Sequence, residues 1–278
     1  MTYTDATPAA RPAGAPTLGD HLREWRRRRR MSQLDLALEA EISARHLSFL
    51  ETGRSAASRA MVLRLAEQLE TPLRERNLML VAAGYAPIYP ERALDDPALS
   101  AARQVVELVL QGHEPWPALA VDRHWTMIAA NRAVAPLIAG VDPKLLEGPV
   151  NVLRLSLHPG GIAPRIVNLT EWRAHLLHRL GQQVQASGDP VLAELRAELQ
   201  ALPAPEGERA PDVESAPYGG VAVPFRIATE MGVLSFLSTT TIFGTPVDVT
   251  LSELAVESFF PADMATAATL KAAAVSFA

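Results

Sequence analysis

The sequence predicts two folded parts: an all-α bundle of five short helices over residues 17–85, and an α+β domain with an antiparallel sheet over residues 97–265. Three observations predict this. Apolar residues recur at helical spacing from Leu18 to Gly84, interrupted by Ser, Pro and Gly. The stretch Tyr85-Ala-Pro-Ile-Tyr-Pro-Glu91 cannot continue a helix, so residues 86–96 read as a linker. Beyond it, runs rich in β-branched and aromatic residues alternate with helical ones, the pattern of an α+β domain.

The first helix carries Leu18, Leu22 and Trp25 on one stripe and runs into Arg26–Arg30. Ser32 caps a second helix, with Leu34, Leu36, Ala37 and Leu38, and Ser43 caps a third that turns Leu47 and Leu50 inward and ends at Gly53. A fourth runs from Ser58 through Val62, Leu65 and Leu69; a fifth opens at Pro72 and closes at Gly84. In the second part, residues 97–111 read as a helix, and Ala118–Val121 with Thr126–Ala130 as a hairpin around Asp122-Arg-His-Trp125. Asn131 caps a helix through Ile138. Residues 150–157, 168–187 and 190–202 are helical in pattern, followed by a Pro/Glu/Gly-rich loop over 203–217. Val221–Thr229 and Val233–Phe243 pair as strands around Met231-Gly232, and Val247–Phe260 begins as a strand and finishes as a helix. Residues 1–16 and 266–278 read as tails.

Composition narrows the functional classes. Apolar residues make up 48% and charged residues 21%, a globular balance. No run of about 18 uncharged apolar residues exists, so no membrane span is expected. The first residues lack a basic start and an apolar core, so no export signal is read and a cytoplasmic location is expected. With no cysteine, disulfides and thiolate metal sites are excluded. Charge is unevenly shared. Residues 17–85 hold 12 Arg against 9 acids, a net of +3, whereas residues 86–278 carry a net of −8. A basic module on an acidic body is suited to phosphate binding by one part alone, although a patchy surface gives the same count.

The strongest motif is Ser32-Gln33-Leu-Asp-Leu-Ala37, then Ile42-Ser43-Ala-Arg45-His46-Leu47-Ser48-Phe49-Leu50-Glu51-Thr-Gly53-Arg54. Small Ala37 lets two helices cross closely, Ile42 and Leu47 lock them from inside, and Glu51 with Gly53 ends the second. The segment resembles the Cro/lambda-repressor-like helix-turn-helix family, in its XRE branch. That resemblance implies a double-stranded DNA operator as partner and makes Ser43–Glu51 the recognition helix. Matching positions turn Ala44, Arg45, Ser48 and Phe49 to the major groove, with Ser43 at the helix start also counted among the DNA-binding residues. Arg45 has the fork that reads guanine, and Phe49 either meets a thymine methyl or packs. Gln33 at a helix start, Arg54, and Arg28 within the Arg26–Arg30 run are phosphate candidates. For the arginine run a solvated face is the competing reading, and His46 is open between groove, phosphate and no contact. A single such module buries about 600–1,000 Å², so a homodimer is expected.

A second resemblance spans about residues 18–265. Leu73-Arg-Glu-Arg-Asn-Leu-Met-Leu-Val-Ala-Ala-Gly-Tyr-Ala-Pro87, Trp116–Asn131 and Phe243–Asp263 are similar to MmyB-like transcriptional regulators. This implies a PAS-like ligand-binding domain and a small apolar, fatty-acid-like ligand. From the residues themselves, anchors for such a ligand gather at the Pro159-Gly-Gly161 turn and the helix after it: His158, Arg165, Asn168, Trp172 and Arg173. Core packing for Trp172 and solvation for the arginines are the alternatives. Trp116, Trp125 and Asn131 read as supports of the hairpin.

No catalytic constellation is read. His158-Pro-Gly-Gly has the look of an esterase oxyanion loop, but no Gly-x-Ser-x-Gly accompanies it. Glu171, His175 and His178 lie on one helix face without a fourth ligand, so no metal or cofactor is assigned. The sequence therefore predicts a non-enzymatic, ligand-responsive DNA-binding regulator. The alternative is a constitutive repressor whose second domain only dimerises or docks a protein.

Overall fold

In the computed structural model, residues 15–203 and 222–275 are described. Expectations for most of the N-terminal tail, for the loop over 203–217 beyond its first residue, and for the last three residues lie outside them. The chain divides into two compact units between Glu91 and Arg92, with Val247–Val249 going with the first.

The first unit holds the five helices in order: α1 (Leu18–Arg28), α2 (Gln33–Glu39), α3 (Ala44–Glu51), α4 (Arg59–Gln68) and α5 (Leu73–Ala82). The start signals act as expected. Ser32 closes a reciprocal capping box with Asp35, and the Ser43 and Ser58 hydroxyls accept from the backbone N–H three residues on; Thr17, which the sequence reading does not name, closes a second box with Asp20. The Thr17 hydroxyl and backbone N–H, with Arg23, hold the Asp20 carboxyl down at about 2. Leu22, Leu36, Leu47, Leu65, Leu69 and Leu80 are fully buried where these helices meet. Three helices stop at non-glycine residues in the left-handed region, Arg30, Glu41 and Glu70. Each stop is closed by a returning N–H, from Met31 to Arg26, Ile42 to Ala37 and Thr71 to Ala66. The proline-bearing segment is tied back by Asn77. Its amide donates to the Tyr89 carbonyl (2.7 Å), and its oxygen accepts from the Ile88 and Tyr89 N–H groups.

The second unit opens with a 3₁₀ turn at Pro97–Leu99 and α6 (Ser100–Gly112), then β1 (Ala118–Val121), β2 (Met127–Ala130), α7 (Ala135–Ile138) and α8 (Val152–Leu157). It continues with α9 (Leu169–Ser187), α10 (Pro190–Ala201), β3 (Phe225–Thr229), β4 (Gly232–Ile242), α11 (Val249–Ser252), β5 (Ala255–Pro261) and α12 (Met264–Val275). The five strands form one antiparallel sheet in the order β2-β1-β5-β4-β3, the α+β architecture expected. Strand alternation sorts side chains between two cores. Ala118, Ala120 and Val256 pack with Val106 and Leu110 of α6. Val121, Phe225, Ile227, Leu234 and Phe236 pack instead with Trp172, Leu176 and Leu180 of α9 and with Leu192 and Leu195 of α10.

Three expectations are corrected. Val247–Phe260 runs helix then strand, not strand then helix, because Ala255–Pro261 is the central strand, paired on both sides with β1 and β4. Met264–Val275 is a helix with Thr266 and Leu270 buried, where the sequence reading places a tail from residue 266. The Thr266 hydroxyl accepts from the Ser235 N–H (3.0 Å), which docks the helix on β4. Finally, the Asn131 side chain makes no cap bond. It is buried, accepts from the Ala118 N–H (3.1 Å) and donates to the carbonyls of Leu110 (3.1 Å) and Trp116 (2.8 Å), pinning α6 to the hairpin.

Asn131→Ala strands three buried backbone groups, each costing about 1–3 kcal/mol when unsatisfied, less what water entering the gap restores. A net loss of about 2–4 kcal/mol is expected from urea unfolding followed by tryptophan fluorescence. A loss below about 1 kcal/mol would show that the clamp contributes little.

Candidate functional site

Each unit carries its own candidate site. In the first, α3 presents an outward face set by what its inward face must do. Leu47, Leu50 and Glu51 are buried. Glu51 is 3% exposed, and its carboxylate accepts three hydrogen bonds from two residues. Arg26 donates to both of its oxygens, from Nε (2.8 Å) and Nη2 (3.1 Å), and the Gln33 amide donates to Oε2 (2.6 Å). Arg23 donates to the Glu51 backbone carbonyl, and α1 approaches so closely that a Cβ on Gly19 would collide with that carbonyl. The end of α3 is thus fixed against α1 and the start of α2.

That arrangement leaves Arg45 exposed and Ser48 and Phe49 half-buried on the outer side. The Arg45 guanidinium lies 5.4 Å from the centre of the Phe49 ring, the one-turn spacing of i and i+4 bringing them together. Ser43 is exposed, and its hydroxyl is spent on the His46 N–H (3.1 Å). Ala44 and His46 are half-buried beside it. Arg54 is exposed just past Gly53, which takes the left-handed conformation (φ 71°). Gln33 is half-buried, with its amide engaged by Glu51. Arg28 pairs with Glu24 (2.9 Å) and lies over Trp25. Of the remaining run, Arg26 holds Glu51 and Arg29 caps the carbonyls of Leu69 and Glu70, while Arg27 and Arg30 are exposed.

In the second unit, a cavity opens between the sheet and the helices α7, α8 and α9. Leu119, Met127, Leu137, Val152, Leu176 and Phe259 are typical of its apolar lining. Trp125 enters from the hairpin turn. Its backbone is left-handed (φ 65°), an uncommon state for a bulky residue, and its indole N–H is held by Gln183 (2.8 Å). The interior measures about 90 Å³, against the ~10–15 Å³ that one water requires.

The polar groups at this cavity are few: Ser156, Arg179, Ser238 and Glu257. Arg179 and Glu257 form a pair, Nη1 to Oε2 (3.0 Å) and Nη2 to Oε1 (2.6 Å), and Glu257 is 4% exposed. Thr240, directly across β4 from Glu257, accepts from Nη2 (2.6 Å) and donates to Oε1 (2.8 Å). The guanidinium sits over the Trp125 ring at 4.6 Å. His175, stacked on Trp172, is pushed below the ordinary imidazole range by burial and then by the Arg179 and His178 charges.

Of the five anchors expected from the sequence, Trp172 alone lines the cavity. It is buried, with its indole N–H on the Ser156 hydroxyl (3.1 Å). The other four bond to backbone, Asn168 also donating to the Glu171 carboxylate (2.9 Å). His158 accepts from the Gly160 N–H, Arg165 donates to the Leu137 carbonyl, and Asn168 bonds to Pro224 and Arg226 at the start of β3. Arg173 caps the end of α10 through the carbonyls of Leu199, Gln200 and Pro203. The Gly-Gly turn has a packing reason too, since a Cβ on Gly161 would strike the Leu155 carbonyl. Among the described residues no group of three or more His, Asp or Glu is placed to hold a metal. The Arg179–Glu257–Thr240 cluster escaped the sequence reading. Its signal was present: Trp172, Leu176 and Arg179 share one helix face, and Glu257 is a lone charge inside an apolar strand.

Two family models match the chain. A family model described as the MmyB-like transcription regulator ligand binding domain matches residues 102–273, more than half of the chain. A helix-turn-helix model matches residues 22–76. No curated protein matches the chain.

Removing one partner of the buried pair in the first unit leaves the other charge uncompensated. Glu51→Ala is expected to destabilise that unit by about 3–5 kcal/mol. Thermal unfolding monitored at Trp25 in a protein with its other tryptophans replaced by phenylalanine checks this; a loss under about 1 kcal/mol contradicts it.

Proposed function

Because this chain belongs to the MmyB-like transcription regulators and carries a helix-turn-helix in its first unit, we propose that it is a sequence-specific, dimeric regulator whose DNA binding responds to a small apolar, fatty-acid-like ligand. The observation that carries the DNA half is the outer face of α3. Arg45 is exposed there and has no ion pair among the described residues, on a helix whose opposite side is clamped through Glu51. Arg45 then reads a guanine edge, with Phe49 stacked beside it and Ser48 and Ala44 at neighbouring positions. Ser43, His46 and Arg54, with the exposed Arg27 and Arg30, lie against phosphates. Arg28 contributes to that field through its position, and Gln33 acts chiefly by holding Glu51. A homodimer doubles a contact area that is small for one module.

The observation that carries the ligand half is the cavity, apolar in lining with a few convergent polar groups, as small-molecule sites usually are. A ligand that binds one arrangement of the protein better than another shifts DNA affinity by that difference. An operator is obtained by enrichment from a random duplex pool, and binding is measured with ligand-stripped protein, with and without the protein's own organic extract. The proposal expects a several-fold change in operator affinity. No change, with DNA binding intact, would leave a constitutive regulator whose second domain serves dimerisation or docking.

Arg45→Ala is expected to cost about 1–3 kcal/mol on the selected operator and to relax preference at one base position. Arg54→Ala should weaken binding to all sequences alike and lower the salt slope by about one. Equal losses on selected and random DNA for Arg45→Ala would remove it from base reading.

A further inference from the structure

The polar end of the cavity specifies what kind of head group it accepts. Arg179 has five N–H donors. Three are spent, on the two oxygens of Glu257 and on Thr240. The Nε donor and one Nη1 donor have no acceptor among the described residues, while Arg179 itself lines the cavity. Donor capacity therefore remains. Charge does not, because Glu257 already neutralises the guanidinium, and at 4% exposure water does little to screen that carboxylate.

An incoming carboxylate would be the second anion on a single cation. Two carboxylates sharing one site disfavour each other's ionised form, and a buried anion without its own counter-charge is strongly penalised. A neutral carbonyl oxygen takes the same free donors without that repulsion. The surroundings agree with a neutral acceptor. Ser156 and Ser238 are the other polar side chains at the lining, and Trp125 covers the guanidinium face at 4.6 Å. We propose that this cavity selects an apolar chain ending in a neutral hydrogen-bond acceptor, an acyl group with its carboxyl masked as an ester or amide, over the free carboxylate. The inference rests on the reading of the cavity as the ligand site. Arg179 is the binding residue, and Glu257 sets the head-group preference through its charge.

The test compares decanoic acid with methyl decanoate and decanamide, which share the same apolar chain. Binding to the ligand-stripped full chain is followed near neutral pH by tryptophan fluorescence, with calorimetry for the affinities. The ester and amide are expected to bind at least about tenfold more tightly than the acid, a difference of about 1.4 kcal/mol. Glu257→Gln keeps an acceptor for Arg179 and removes the negative charge, so it should shift the ratio at least about tenfold towards the acid. Acid binding as tight as ester binding in the unmodified protein overturns the proposal and leaves the ligand site standing. An unchanged ratio in a folded Glu257→Gln protein also overturns it. If none of the three compounds binds, the ligand reading of the cavity fails and the head-group proposal falls with it. The comparison in the unmodified protein needs no variant to fold.

Discussion

Taking a carboxylate out of water costs several kcal/mol unless a cation and hydrogen bonds accompany it, and Glu51 and Glu257 are both buried with such partners. Each buried acid dictates what surrounds it. Glu51 draws Arg26 from α1 and Gln33 from α2 onto the end of α3, so three helices are tied at one point. Glu257 draws Arg179 from α9 and Thr240 from β4 onto the central strand, so the sheet and the longest helix are tied at another. A hydrophobic replacement could pack as well as either pair, but it would not dictate which elements meet.

The consequence differs between the units because the two clusters face different ways. The Glu51 cluster lies behind the outer face of α3 and uses arginines that would otherwise stand free on the surface. Of the arginines in α1 and at its C-cap, Arg23, Arg26 and Arg29 are committed to the protein itself. The basic surplus of this unit overstates its free positive surface for that reason, whereas Arg45 stays exposed outside the network. The Glu257 cluster instead lies at the rim of an apolar space, where the pair sets the electrostatics any ligand meets.

The five helices of the first unit, the Ser32 and Ser43 caps and the hairpin were legible in the sequence because their causes are local. Ser, Thr and Asp at the starts, and apolar spacing along each helix, report on residues within one turn. The order of elements in 247–260 was not legible. Ala255-Val-Glu-Ser-Phe-Phe-Pro is a strand because two neighbours pair with it, and that cause lies far off in the chain. The same limit explains the anchors. His158, Arg165, Asn168 and Arg173 cluster in sequence near a glycine turn, yet loop and helix-end backbone groups need partners and take them. Besides Trp172, the cavity is reached by Arg179 and Glu257, which are far apart in sequence and meet where α9 lies against the sheet. Asn131 shows the effect in small. Local rules make it a cap, but three buried backbone groups compete for its side chain and win.

An apolar space left within a core is itself a cost. At about 24 cal/mol per Å³ of cavity, 90 Å³ corresponds to about 2 kcal/mol of forgone stability. The folded state tolerates that deficit because the walls are propped rather than collapsed. Trp125 is held by Gln183 in a backbone conformation bulky residues avoid, Trp172 is tied to Ser156, and Arg179 is tied to Glu257. These props are directional bonds, so closing the cavity would break them one by one. A chain that fills the space regains the lost contacts without disturbing the props, which makes occupancy favourable before any head-group bond is counted. Whether the head group adds to that gain or subtracts from it turns on the one charge already beside Arg179.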